Sequence, residues 1–256
     1  MNFDSAETKE IGRQLDTDRR SRPPAGFVVI IPRDIIPVVN MFELQTGIYA
    51  QTELEAKLKM SVPLTEIEYK TLLDRLDSLS VHWTYQDTTP QPSIDYYTLD
   101  NIRVQKKVDS VGAEVLVFQK KKRLQTLDLL LSESTEESKV LATVRLSLAN
   151  EDRVNPVDYL QNTSFIRMKR RLSFIYKRMI RYDFTNCWQG RTVKDAKAAG
   201  SFFEIELEML DLVDILKLYG KQYVIVTLLE KMRHLVTLIT DIRKQRTLQP
   251  PLYHLS

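Results

Sequence analysis

Charged and apolar residues alternate with a period of two along much of this 256-residue chain, and that alternation limits its fold more than any other feature. The clearest cases are Glu53-Leu54-Glu55-Ala56-Lys57 and Glu204-Ile205-Glu206-Leu207-Glu208. On a β-strand, Glu53, Glu55 and Lys57 share one face, and Leu54, Ala56 and Leu58 share the other. Glu204, Glu206 and Glu208 oppose Phe203, Ile205, Leu207 and Met209 in the same way. Carboxylates two apart on one face repel, and enclosing them is costly unless a cation answers them. A hard divalent ion such as Mg²⁺ or Mn²⁺ takes carboxylate oxygens. A solvated outer face explains one such string. Two, near opposite ends of the chain, point to a metal.

A third string, Glu66-Ile67-Glu68-Tyr69-Lys70, sits in other surroundings. Thr65 and Glu68 form a capping box just after Pro63. Ile67, Leu72, Leu73, Leu76 and Leu79 then recur at helical spacing, which predicts a surface helix over 65–79. Further helices are expected around 34–45 and over 211–243. Strands are expected near 51–60, 82–87, 93–99, 101–108, 114–123, 124–131, 141–149, 164–175, 177–188 and 201–209. The polar stretch 132–138 is expected to be a turn or loop. Residues 1–26 and 244–256 are expected to be disordered tails on one domain over 27–243.

The net charge of +3, from 37 basic and 34 acidic residues, is too balanced to mark a nucleic-acid binder by itself. The distribution says more, because basic residues concentrate between 103 and 197 while the glutamate strings lie outside that span. The single cysteine, Cys187, excludes an intramolecular disulfide and suits a reducing compartment. No apolar run approaches a membrane span, and the first residues lack the apolar stretch of a signal peptide. A soluble intracellular protein is expected, cytoplasmic in the first instance, with the nucleus still open.

Nearly every expected strand has one charged face. Arg103, Gln105 and Lys107 oppose Ile102 and Val104; Gln119, Lys121 and Arg123 oppose Leu116 and Phe118. Arg145 and Ser147 oppose Val144, Leu146 and Leu148. Arg167, Lys169 and Arg171 oppose Ile166, Met168 and Leu172, with Arg170 breaking the apolar side. Arg181, Asp183 and Thr185 oppose Ile180, Tyr182 and Phe184. Two arrangements satisfy this pattern. One is an open antiparallel sheet with a solvated face. The other is a closed barrel whose charged lumen holds a metal beside a polyanion, its aliphatic exterior covered by the helices over 65–79 and 211–243.

These strings resemble the triphosphate tunnel metalloenzymes, most closely the metal-dependent RNA 5′-triphosphatases of mRNA capping in fungi and large DNA viruses. The likeness rests on Glu53-Leu54-Glu55-Ala56-Lys57, Asn101-Ile102-Arg103-Val104 and Phe118-Gln119-Lys120-Lys121-Lys122. It continues with Arg145-Leu146-Ser147-Leu148-Ala149-Asn150-Glu151, Phe165-Ile166-Arg167-Met168-Lys169-Arg170-Arg171 and Glu204-Ile205-Glu206-Leu207-Glu208. The resemblance implies an α+β fold, an antiparallel barrel of eight or so strands with flanking helices. It implies that Glu53, Glu55, Glu206 and Glu208 bind Mg²⁺ or Mn²⁺, and that Glu204 joins them or positions the attacking water. Arg103, Lys121, Arg145, Arg167, Lys169 and Arg171 would hold the triphosphate oxygens. Glu151 and Asp183 match acidic positions on later tunnel strands. Lys57 stands at a lysine position that the RNA-specific branch does not always keep.

The resemblance thus implies hydrolysis of the γ-phosphate of 5′-triphosphate RNA, the first step of mRNA capping, with the RNA end as partner. A tripolyphosphatase or nucleoside triphosphatase is the alternative, and a silent RNA-end-binding subunit a third reading. No Lys-x-Asp-Gly guanylyltransferase string is present, so a separate guanylyltransferase or methyltransferase partner is expected. A chain with seven glycines has no Gly-rich phosphate loop. Cys187 has no histidine near it in sequence, His82, His234 and His254 show no ligand spacing, and Trp83 and Trp188 are expected in packing.

Overall fold

One strand pairs with a neighbour along each of two successive stretches, and this makes the sheet a barrel. The computed structural model describes residues 27–29, 51–78, 83–87, 89–109, 111–133 and 141–248. Within these residues the strands are β1 (Phe27–Val29), β2 (Thr52–Met60), β3 (Trp83–Gln86), β4 (Gln91–Thr98) and β5 (Ile102–Val108). They continue as β6 (Glu114–Glu133), β7 (Leu141–Arg153), β8 (Thr163–Tyr176), β9 (Ile180–Gly190) and β10 (Phe202–Met209). The helices are α1 (Glu66–Asp77), α2 (Val193–Ala198) and α3 (Leu212–Leu248). Residues 114–120 of β6 pair with β5, and residues 119–132 pair with β7. The ring then runs β6-β5-β4-β8-β9-β10-β2-β7 and returns to β6, all antiparallel. This closed eight-stranded barrel excludes the open sheet. β1 pairs antiparallel with the last residues of β6, and β3 pairs with β8 beyond β4.

The alternation places charged residues inward, so the hydrophobic core lies outside the barrel. Leu54, Ala56 and Leu58 of β2, Val144, Leu146 and Leu148 of β7, and Ile205, Leu207 and Met209 of β10 are buried in one cluster. Leu72 and Leu76 of α1 and Val224, Leu228, Met232, Leu235 and Ile239 of α3 complete it. Burying each such side chain is worth about 1.5–3 kcal/mol, enough to hold both helices on this wall. The helices do not cover the opposite wall. There Tyr159 packs on Tyr96 and Phe118, at centroid distances of 5.0 and 6.1 Å, and Leu116 is exposed.

Several expectations are corrected. The two strands expected over 114–131 are one, with a register shift between Arg123 and Gln125, a few residues past the point where it changes partner. The last helix runs on to Leu248, past the expected end at 243. It is kinked at Gly220, whose φ of 76° is the left-handed conformation that glycine adopts freely. The short α2, capped by Thr192 and Asp195, was not expected. The helix expected around 34–45 lies outside the described residues. So do residues 1–26 and 249–256.

α1 carries the expected capping box, with Thr65 accepting from the Glu68 amide and Glu68 accepting from the Thr65 amide. Glu68, however, is buried rather than on the surface. Its carboxylate also takes Arg243 of α3 at 3.0 Å, and Arg243 donates on to the carbonyls of Val62 and Pro63. Glu68 therefore ties α1 to α3, while Glu66 is exposed on a single turn with Lys70. Glu68→Ala should lower stability by about 2 kcal/mol, and Glu66→Ala should leave the melting temperature unchanged. Neither should alter divalent-ion binding. Thermal melts check the first claim, which equal melting temperatures for the two variants would contradict.

Candidate active site in the tunnel

The barrel encloses a tunnel of about 920 Å³, in the range of small-molecule sites. Seven carboxylates and eleven lysine or arginine side chains line it. Carboxylates from β2 and β10 form its acidic centre. Glu208 sits directly opposite Glu55 in the strand register. Oxygens of Glu53, Glu55 and Glu208 lie within 4.8 Å of one another, although like charges facing across strands are destabilising. Lys121 of β6 answers them, its Nζ standing 3.0 Å from Glu55, 3.2 Å from Glu53 and 3.4 Å from Glu151. Arg181 of β9 pairs with Glu208 and Asp183.

These two cations do not satisfy the cluster. Burial pushes the Glu208 carboxyl up to about 7, against Arg181 and with Glu53 and Glu55 adding to the rise. Burial raises Glu53 as well, with Lys121 opposing. A site of three crowded carboxylate oxygens, one of them near protonation for want of positive charge, fits a hard divalent cation.

Further along β10 the carboxylates are fully answered. Lys57 contacts Glu204 and lies 3.1 Å from Glu206. Arg167 pairs with Glu204, while Arg171 reaches Asp183 at 2.9 Å and Glu206 at 3.8 Å. Burial works against the Glu206 charge, yet Lys57 and Arg171 hold its pKa down at about 2. Glu206, which the resemblance puts among the metal ligands, thus stands in ion pairs and outside the compact group of three. Lys57 is the residue that separates the two halves of the acidic strand.

The expected phosphate-binding cations divide by depth. Arg103 pairs with Glu151 at 2.9 Å and donates to Gln119 at 2.7 Å. The Nε atoms of Arg103 and Arg167 are buried without an acceptor among the described residues. Lys169 is buried and paired with Asp95 of β4, itself fully buried. Arg145 is half-exposed, and Asp128 holds it through two hydrogen bonds of 2.7 and 2.8 Å, which puts it at the rim. Arg170 points away from the lumen, over the Trp188 ring at 5.9 Å. The other tryptophan, Trp83, packs against Phe174 and Tyr182 and donates to the Leu76 carbonyl, as its expected packing role requires.

Asp95 escaped the sequence reading, although it shares strand parity with Ser93 and Tyr97. Arg181, Arg123 and Lys107 face the lumen as their alternation predicts, and Arg153 joins them; none had an assigned role. Cys187 is buried with its Sγ 3.3 Å from a Glu204 oxygen. Burial pushes its thiol up to about 12, and Glu204 adds to the rise, which leaves it a poor nucleophile.

No protein-family model and no curated protein matches the sequence. Solved structures do match the fold. The RNA triphosphatase Pct1 of S. pombe aligns over 80% of this chain and 93% of its own, at 20% identity and a TM-score of 0.57. The Mimivirus capping enzyme triphosphatase aligns over 83% of this chain and 100% of its own, at 12% identity, with TM-scores of 0.54 and 0.56 in two crystal forms. The tunnel fold implied by the sequence strings is the fold the chain has.

A proton on Glu208 competes with a divalent ion. Because its folded-state pKa lies near 7, above the ordinary glutamate value, the ion-free protein gains stability from that proton below about pH 4.5 and loses it as pH rises through 7. Mn²⁺ affinity should accordingly rise about tenfold from pH 6 to pH 8. Titration calorimetry at both pH values checks this, and Glu208→Gln should flatten the difference. A pH-independent affinity in the parent protein would contradict the assignment.

Proposed function

We propose that this chain is a divalent-metal-dependent RNA 5′-triphosphatase, which removes the γ-phosphate of 5′-triphosphate RNA and leaves a 5′-diphosphate end. The observation that carries the reading is the enclosed tunnel in which Glu53, Glu55 and Glu208 face a wall of cations, two of them arginines with an unused buried donor. A bound Mg²⁺ or Mn²⁺ would supply Lewis-acid neutralisation of charge on the transferring phosphoryl group. The protein's own groups do the rest by position and charge. Arg103 and Arg167 offer their free Nε donors to phosphate oxygens. Arg171 and Lys169 add positive charge, aligned by Asp183 and Asp95. Glu204 and Glu206 stay ionised between Lys57, Arg167 and Arg171, which fixes those cations before substrate arrives. No covalent intermediate is required, since water attacks the γ-phosphorus in line with the leaving β-phosphate oxygen. The diphosphate end is the acceptor that a guanylyltransferase needs, and a capping partner on another polypeptide fits this order.

Rates of phosphate release from 5′-triphosphate RNA, tripolyphosphate and ATP, with Mg²⁺ and then Mn²⁺, test the reading. Release from RNA to a diphosphate end is the expected result. Preference for tripolyphosphate would make it a small-molecule tunnel enzyme, and release from none would make it a binding subunit. Glu53→Ala or Glu55→Ala should abolish divalent-dependent turnover while the melting temperature holds or rises, because one repelling charge is gone. Arg171→Ala should cut turnover about a hundredfold, and Arg171→Lys should not restore it, since lysine lacks the paired fork. Arg170→Ala should stay near the parent rate. Equal, mild effects at 170 and 171 would contradict catalysis in the lumen.

A further inference from the structure

Two aromatic rings lie flat against each other in a tunnel wall that is otherwise almost entirely polar. Tyr97 of β4 and Phe165 of β8 are register partners, with ring centroids 4.3 Å apart and an interplanar angle of 5°. Both are part-exposed and line the tunnel, whereas the other ring pairs among the described residues lie outside it, as around Phe174, Tyr182 and Phe184. Tyr97 is one residue from the end of β4 and Phe165 two from the start of β8, so the pair stands at a mouth. The Ser164 hydroxyl donates to the Tyr97 carbonyl at 2.8 Å and ties the two strand ends together. Tyr97 is the register partner of Arg103 on β5, and Arg167 on β8 is the register partner of Asp95, two residues along β4 from Tyr97. These are the two arginines with a buried Nε that lacks an acceptor among the described residues.

A bare triphosphate has no use for a ring surface, but a nucleobase does, because aromatic faces stack on any base and bury its apolar plane. We propose that Tyr97 and Phe165 form a stacking platform for the first nucleobase of 5′-triphosphate RNA, which delivers the attached triphosphate to Arg103 and Arg167. The platform rests on the proposed hydrolase function and adds to it a means of selecting a nucleic-acid end. Stacking on a ring face tolerates any of the four bases, so the first nucleotide is unrestricted.

Four substrates test the platform: triphosphate RNA, the same RNA with an abasic first nucleotide, free ATP and tripolyphosphate. In the parent protein, kcat/KM should be about tenfold or more lower for the abasic end, through KM. Phe165→Leu, which keeps apolar bulk, should lose a similar factor on base-bearing RNA and no more on the abasic end. Phe165→Trp should restore it. ATP, whose base and triphosphate are joined as in the RNA end, should track RNA in these variants; ATP tracking tripolyphosphate would contradict the platform. Equal loss on RNA and tripolyphosphate in Phe165→Leu, or no discrimination against the abasic end, overturns the platform while hydrolysis of tripolyphosphate keeps the hydrolase reading intact. Hydrolysis of none of the four removes both.

Discussion

The double pairing of β6 is the constraint on which everything else depends. By bonding to β5 with its first part and to β7 with its second, it turns a face that water would solvate into one that water can only partly reach. Charges that cost little on an open sheet must then neutralise one another. Most do, through Lys57, Arg103, Arg167, Lys169, Arg171 and Arg181. At Glu53, Glu55 and Glu208 the cancellation is incomplete, and the elevated Glu208 carboxyl is its signature. Closure thus creates the demand for a cation that the proposed chemistry uses.

Turning the charges inward also moves the hydrophobic core to the outside, where α1 and α3 cover one wall. Stability and chemistry therefore occupy opposite faces of the same strands. Leu54 and Leu207 hold the barrel to its helices while Glu53 and Glu206, one residue away, face the lumen. A substitution in the lumen can remove function at little cost to packing. One in α1, such as at Glu68, acts on stability alone.

The strand alternation made the lumen legible, since parity alone assigned Glu53, Arg103, Lys121, Arg167 and Asp183 to one face of their strands. It also separated Arg170 from Arg171. What it lacked was distance between strands. The pairing of Glu206 with Lys57 and Arg171, and of Arg145 with Asp128, depends on register and tilt that no single segment encodes. Asp95 was invisible because one carboxylate on a strand makes no pattern, and its partner Lys169 lies 74 positions away. The continuity of β6 was hidden because the register shift between Arg123 and Gln125 reverses its alternation, so that one strand reads as two. Glu68 was mistaken for a surface residue because its second partner, Arg243, comes from the far end of the chain.

The central claim is that the three carboxylates at the β2–β10 seam form the metal site of a closed tunnel. Anomalous diffraction from crystals soaked in Mn²⁺ near pH 8 tests it most directly. The account predicts one strong peak ligated by Glu53, Glu55 and Glu208, with Lys121 moved off their oxygens. A peak elsewhere in the tunnel, or none with Lys121 still bridging Glu53 and Glu55, would contradict it.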